Sequence, residues 1–264
     1  MVAIGTGLLS LICLCMLAFV VLRPTISPPI AENVAIVVSP HPDDESYAMG
    51  QTIASQVLSG RRVIGVLVSD GEESQLVERW AAKHGRDLNG DGVVDKWDFG
   101  LARREEYRAA MNVLDLEELV FLGGADTRGE HGFRDGSVDA LELEDRLASL
   151  ATAHPEAAWF TTAPHRREYL FFGDYENHPD HAQVAKAVKA VATASDGVVH
   201  TYKTYVYLLP PHLRRAPVRV EGTPEALRLK RSMIEAYSTI GAMSTPELYE
   251  AAMEDTYEYL VGTR

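Results

Sequence analysis

From residue 34 onward, short apolar runs alternate with amphipathic stretches, a pattern that few architectures accommodate. Residues 34–38, 63–68, 119–122 and 157–161 read as strands, near-continuously apolar as strands covered on both faces must be. Residues 48–59 (closed by Gly60), 101–114, 138–151 and 179–193 carry helical periodicity. Strand and helix in turn predict an α/β domain, Rossmann-like and doubly wound around a mainly parallel sheet. Ligands of such sheets bind outside the carboxyl ends of the strands, where the strand order reverses. Residues 202–209 read as a later strand, and Thr223-Pro224 and Thr245-Pro246 as the starts of two helices.

The segment ahead of this pattern has a different character. Val2 to Leu22 is 21 residues without a formal charge. As a helix it would reach ~32 Å, enough for a hydrocarbon core of ~30 Å. The expectation is a retained transmembrane anchor over 1–23, without the basic start or small-residue cleavage site of a signal peptide. A stiff linker over 24–32 follows, with Pro24, Pro28 and Pro29 preventing helix continuation, and then a domain over 33–264. Both cysteines, Cys13 and Cys15, fall in the anchor, so the domain has neither disulfides nor thiolate metal sites. The formal charge of −13 disfavours nucleic acid as a partner.

Directly after the first strand stands Ser39-Pro40-His41-Pro42-Asp43-Asp44-Glu45. A turn there can bring His41 and Asp44 onto one cation and leave Asp43 beside it. Imidazole plus carboxylate suits Zn²⁺ or a similar dication. A further ligand is available from Asn177-His178-Pro179-Asp180-His181, where His178 and His181 are spaced to share one side of a helical turn. Singly, each motif reads more readily as a polar turn or a helix cap; paired at the ends of two strands, they read as a metal centre.

Five elements in order resemble the LmbE/PIG-L family of N-acetylglucosamine deacetylases across most of 33–240. They are Ser39 to Glu45, Ser69-Asp70-Gly71-Glu72, Arg103 to Glu106, Leu122 to Asp126, and His178 to Val184. The resemblance implies that His41, Asp44 and His181 hold Zn²⁺ (or Fe²⁺) and that Asp43 is the general base. It places His178 to stabilise the oxyanion or protonate the leaving amine, Asp180 to orient a histidine, and Arg103 and Asp126 to contact substrate. The implied reaction removes acetyl from an N-acetylglucosamine glycoconjugate, which an anchor would make lipid-linked or part of the cell envelope. One alternative is hydrolysis of another amide, such as a thiol conjugate or an antibiotic intermediate. A second is a calcium-stabilised carbohydrate-binding protein without turnover.

The insertion at about 71–100 carries a second cation pattern. Asp87, Asn89, Asp91, Asp95 and Asp98 take positions 1, 3, 5, 9 and 12 of a loop with Gly92 at position 6, while Val93 offers a carbonyl at 7. This is EF-hand spacing, similar to dockerin-type loops in ending with Asp, and it predicts a structural Ca²⁺ clamp rather than a solvated loop. A weak calcium site fills where calcium is millimolar, which favours an extracytoplasmic domain over the cytoplasmic orientation suggested by Arg23. Leu170-Phe171-Phe172 is the expected pocket wall.

Overall fold

The structure, a computed structural model, describes residues 24–28, 33–116, 118–164, 178–204, 206–208, 214, 216–237 and 246–263. Eight strands form one sheet: β1 (Thr25–Ile26), β2 (Val34–Ser39), β3 (Arg62–Leu67), β4 (Glu118–Phe121), β5 (Ala158–Thr162), β6 (Val198–Tyr202), β7 (Val218–Val220) and β8 (Glu258–Thr263). Their order is β1-β7-β8-β6-β5-β2-β3-β4. From β6 through β4 all neighbours are parallel, whereas β8 runs antiparallel to both β6 and β7. The sheet is therefore mixed.

Helices α1 (Asp44–Leu58), α2 (Val77–His84), α3 (Lys96–Asn112), α4 (Ala140–Ala153), α5 (Pro179–Ala194), α6 (Pro224–Glu235) and α7 (Pro246–Glu254) complete the described elements. Because successive strand side chains face opposite ways, β2 feeds two cores. Ala35 and Val37 pack with Ile53, Tyr107 and Met233 from α1, α3 and α6. Ile36 and Val38 pack with Leu143 and Val184 from α4 and α5. Helices on both faces make the fold doubly wound. The chain leaves β2 toward β3 and β4, then returns to β5 on the other side, so the order reverses at β2 and β5.

Several expectations need correction. Among the described residues no helix is long and apolar enough to cross a membrane. The expected transmembrane helix over 2–22 lies outside the described residues; the anchored localisation and membrane contact drawn from it, and the extracytoplasmic placement drawn from the calcium loop, are withdrawn. Two residues of the expected linker, Thr25 and Ile26, instead pair with β7. Where it is described, the run at 202–209 is not a strand: β6 ends at Tyr202, and Val206–Leu208 is a 3-10 helix. The helix expected from 101 begins at Lys96, because Asp95 and Asp98 form its capping box.

The structure does not support the calcium clamp expected there. Asp95 accepts from Trp97 N, and Asp98, fully buried, accepts from the amides of Leu88, Asn89 and Asp95. Asp87 takes the amides of Gly90 and Gly92, while Asn89 and Asp91 each take an amide two residues on. Arg128 pairs with both Asp91 and Asp95. The acidic side chains thus serve helix start, turns and one guanidinium, and the loop is absent from the ligand groupings found among the described residues.

Candidate active site

The carboxyl ends of β2 and β5 lie side by side, with Val38 opposite Thr161. Beyond β2 the chain turns through Pro40-His41-Pro42-Asp43 into α1; beyond β5, His178 caps α5 and Pro179 occupies its first turn. Two loops far apart in sequence therefore meet at the switch point.

His41 Nδ1 lies 3.2 Å from Asp44 Oδ2, and His181 Nε2 lies 3.3 Å from the same oxygen. All three side chains are buried. Their outward nitrogens are engaged as those of metal-bound histidines usually are: His181 Nδ1 is 2.9 Å from Thr162 Oγ1, and His41 Nε2 is 3.3 Å from Asp180 Oδ2. Two imidazole nitrogens and one carboxylate oxygen at this spacing fit a dication of the zinc class. Burial would raise the Asp44 carboxyl, but His181 and His41 hold it well below the usual carboxylate range.

Asp43 caps α1 with φ 103° and ψ −30°, outside the regions a side-chain-bearing residue prefers. Arg103 from α3 holds this turn, donating to the Pro42 carbonyl, to Asp43 Oδ2 at 3.1 Å and to the Gly71 carbonyl at 3.3 Å. The approach requires a glycine at 71, where φ is +67° and a Cβ would stand 1.9 Å from Arg103 Nη1. Burial pushes the Asp43 carboxyl well above its ordinary range; Arg103 opposes this, and Asp44 and Glu45 add to it.

Across the site, His178 Nε2 lies 2.9 Å from Asp135 Oδ1 and His178 Nδ1 lies 3.7 Å from Asp180 Oδ2. Asp180 is fixed by the Gly136 and Val138 amides at 2.8 and 3.1 Å. Glu45 turns away from this cluster to the hydroxyls of Ser39, Ser46 and Tyr237.

The structure thus brings together His41, Asp43, Asp44, His178, Asp180, His181 and Arg103. Arg103 is buried against the Asp43 turn and donates to its carboxylate. Asp126 does not join the cluster; its side chain is 57% exposed and pairs with Arg104 at 3.3 Å. Trp80 packs on Phe99, and Trp97 lies beneath Arg134, so neither is an open stacking platform. The expected wall at 170–172 lies outside the described residues.

Asp135, Thr162, and the Arg104–Asp70 pair escaped the sequence reading. Arg104 donates to both Asp70 oxygens at 2.7 and 2.6 Å, and Asp70 also receives the Ala125 amide, tying α3 to the loop after β4. Asp135 sits in Arg134-Asp135-Gly136, which has the composition of an ordinary turn; only the fold brings it to the histidines.

A family model described as PIG-L, GlcNAc-PI de-N-acetylase, matches residues 36–192. The 1D-myo-inositol 2-acetamido-2-deoxy-alpha-D-glucopyranoside deacetylase of Mycobacteroides abscessus is 31% identical over 183 residues, 65% of this chain and 60% of the relative. The chain thus spans less than two thirds of that relative's length. Among solved structures, the A40926 pseudoaglycone deacetylase Dbv21 has a TM-score of 0.59 at 18% identity, over 88% of this chain and 97% of the other. The 4-carboxy-2-hydroxymuconate hydratase GalB of Pseudomonas putida has 0.55 at 18% identity, over 84% and 83%. These likenesses show the fold alone, and a hydratase among them means that the reaction must be argued from the site.

Proposed function

The chain belongs to the PIG-L family of GlcNAc-PI de-N-acetylases, and from that premise we propose that it is a divalent-metal hydrolase removing the acetyl group from an N-acetylglucosamine-containing glycoconjugate. The relatives' GlcNAc-inositol is the first substrate to try. The observation that carries this reading is the convergence of His41, Asp44 and His181 within 3.3 Å contacts, with Asp43 adjoining and His178 opposite.

When bound by His41, Asp44 and His181, a zinc-class dication supplies Lewis acidity, acidifying a water and polarising the amide carbonyl. Asp43 takes the proton from the attacking water, and Arg103 holds its carboxylate and backbone in place for that transfer. His178 donates a proton to the departing amine as the carbon–nitrogen bond breaks, so amide and water become acetate and free amine. Asp135 and Asp180 hold His178 and His41 in orientation. Asp126, exposed and paired with Arg104 in the loop after β4, is assigned in this reading a contact with the sugar or its substituent.

The alternative of a calcium-stabilised binding protein has no support in the ligand groupings found among the described residues.

Metal-loaded protein incubated with GlcNAc-inositol and simpler N-acetylglucosaminides should release acetate and primary amine in equal amounts. Asp43→Asn should keep its metal and lose turnover by about 10²-fold or more. Normal turnover by that variant removes the base; no amine from any of these substrates removes the reaction class.

A further inference from the structure

The two ring nitrogens of His41 face two different sets of donors. Nδ1 faces Asp44, as described. Nε2 lies 3.3 Å from both Asp135 Oδ1 and Asp180 Oδ2. His178 Nε2 approaches the same Asp135 oxygen to 2.9 Å. One ligand atom from each of His41, Asp135, His178 and Asp180 falls within 4.8 Å of all the others. A tetrahedral ion with bonds of about 2.0 Å separates its ligands by about 3.3 Å, and the contacts of His41 Nε2 with Asp135 and Asp180 match that separation.

Two features mark the set. Asp135 is only 8% exposed, and its single Oδ1 is approached by two imidazole nitrogens, at 2.9 and 3.3 Å. Both carboxylates are also held rigidly: Asp180 by the Gly136 and Val138 amides, Asp135 by the Glu73 amide on its other oxygen. Two buried carboxylates aimed into one small space require compensating positive charge.

We propose that Asp135, His178 and Asp180 form a second divalent-cation site beside the catalytic one, and that filling it inhibits the enzyme. His41 is the wall between them. With Nδ1 committed to the first cation, its Nε2 keeps a proton and ligates no second ion, leaving the second site three protein ligands and an open position. Mixed nitrogen and oxygen donors select zinc-class ions over magnesium or calcium. An occupied His178 has no proton to give the departing amine. The inhibitory half of this inference rests on the hydrolase reading; the number of bound ions does not.

The whole chain, carrying one zinc per molecule, is titrated with zinc chloride while bound metal is measured by equilibrium dialysis and amine release in parallel. A second equivalent should bind more weakly than the first, and turnover should fall as it fills. Asp135→Asn and His178→Ala should each weaken that second equivalent by about tenfold or more and keep the first. Two variants guard against one that fails to fold, which circular dichroism reports. Saturation at one zinc per chain, or an unchanged second equivalent in both folded variants, overturns the site. A second equivalent that fills without affecting turnover overturns the inhibition. Two bound ions with the variant pattern above, in a protein that hydrolyses none of these amides, support the site while overturning the hydrolase reading.

Discussion

Position 43 combines two constraints that usually belong to different residues: a carboxylate in the reacting space and a backbone at φ 103°. Asparagine tolerates positive φ better than alanine does, so Asp43→Asn is the variant that tests the carboxylate with least disturbance of the turn. Glu72 carries a different residue-scale prediction. It is fully buried, accepts the Asp135 amide at 2.9 Å, and burial pushes its carboxyl up to about 7. The folded state then holds a proton that the unfolded chain releases near pH 4.5. Glu72 therefore contributes stability that is fully present below pH 4.5 and is lost as pH rises to about 7. Glu72→Gln, which keeps the acceptor, should abolish this dependence; comparing urea unfolding of the two proteins from pH 4.5 to 8 should show a change of about 3 kcal/mol in their difference. A flat difference would show that Glu72 is ionised in the fold. His41, Asp43, Asp44 and His181 were legible because they are clustered in two short motifs. Asp135 was not, because its partners lie 94 residues before it and 43 after, and nothing in its immediate neighbours marks it.

The elements show where local sequence rules were sufficient and where a competing use took over. The EF-hand spacing is present in 87–98, but the same acidic residues are what a helix start and tight turns need, and the fold uses them there. α1 shows the reverse: only Gly50 hints at a break in 44–58, yet the helix bends beside it at Met49, with φ −147° and ψ 20°. The cause comes from the other end of the domain. Glu258 of β8 accepts the amides of Gln51 and Thr52 at 2.6 and 3.0 Å and the Thr52 hydroxyl at 2.7 Å, acting as a cap for the second half of α1. The buried Lys230 ammonium lies 3.6 Å from the same carboxylate. Glu258→Ala should strand that ammonium and two amides, costing about 3–5 kcal/mol in denaturant unfolding. A cost below 1 kcal/mol would mean that the bend is supported by packing alone.

On the scale of the whole molecule, the alternation of apolar and amphipathic segments was enough to predict the parallel strands β2 to β5 and the edge of the sheet at which the site lies, whereas β6 lies at 198–202 rather than at 202–209. The short antiparallel strands near the end of the chain were missed: β7 has only three residues, and β8 takes its role from the partners it finds. The sheet divides the interior into two separate cores, with Ile53 on one side and Leu143 on the other, both fully buried. Ile53→Ala and Leu143→Ala should each cost about 2–5 kcal/mol in urea unfolding, and the double variant should equal their sum within about 0.5 kcal/mol. A larger departure would show that the faces communicate through the sheet. The alignment of β2 with β5 also has a consequence in time. The bond from Thr161 Oγ1 to the Val38 carbonyl closes a span of 123 residues, and the donors of the centre are assembled across that same junction. Pairing over such a distance is a slow step in the search for the native state, so a metal-sensitive dye following uptake during refolding would serve as a clock for the moment when the two halves of the sheet meet.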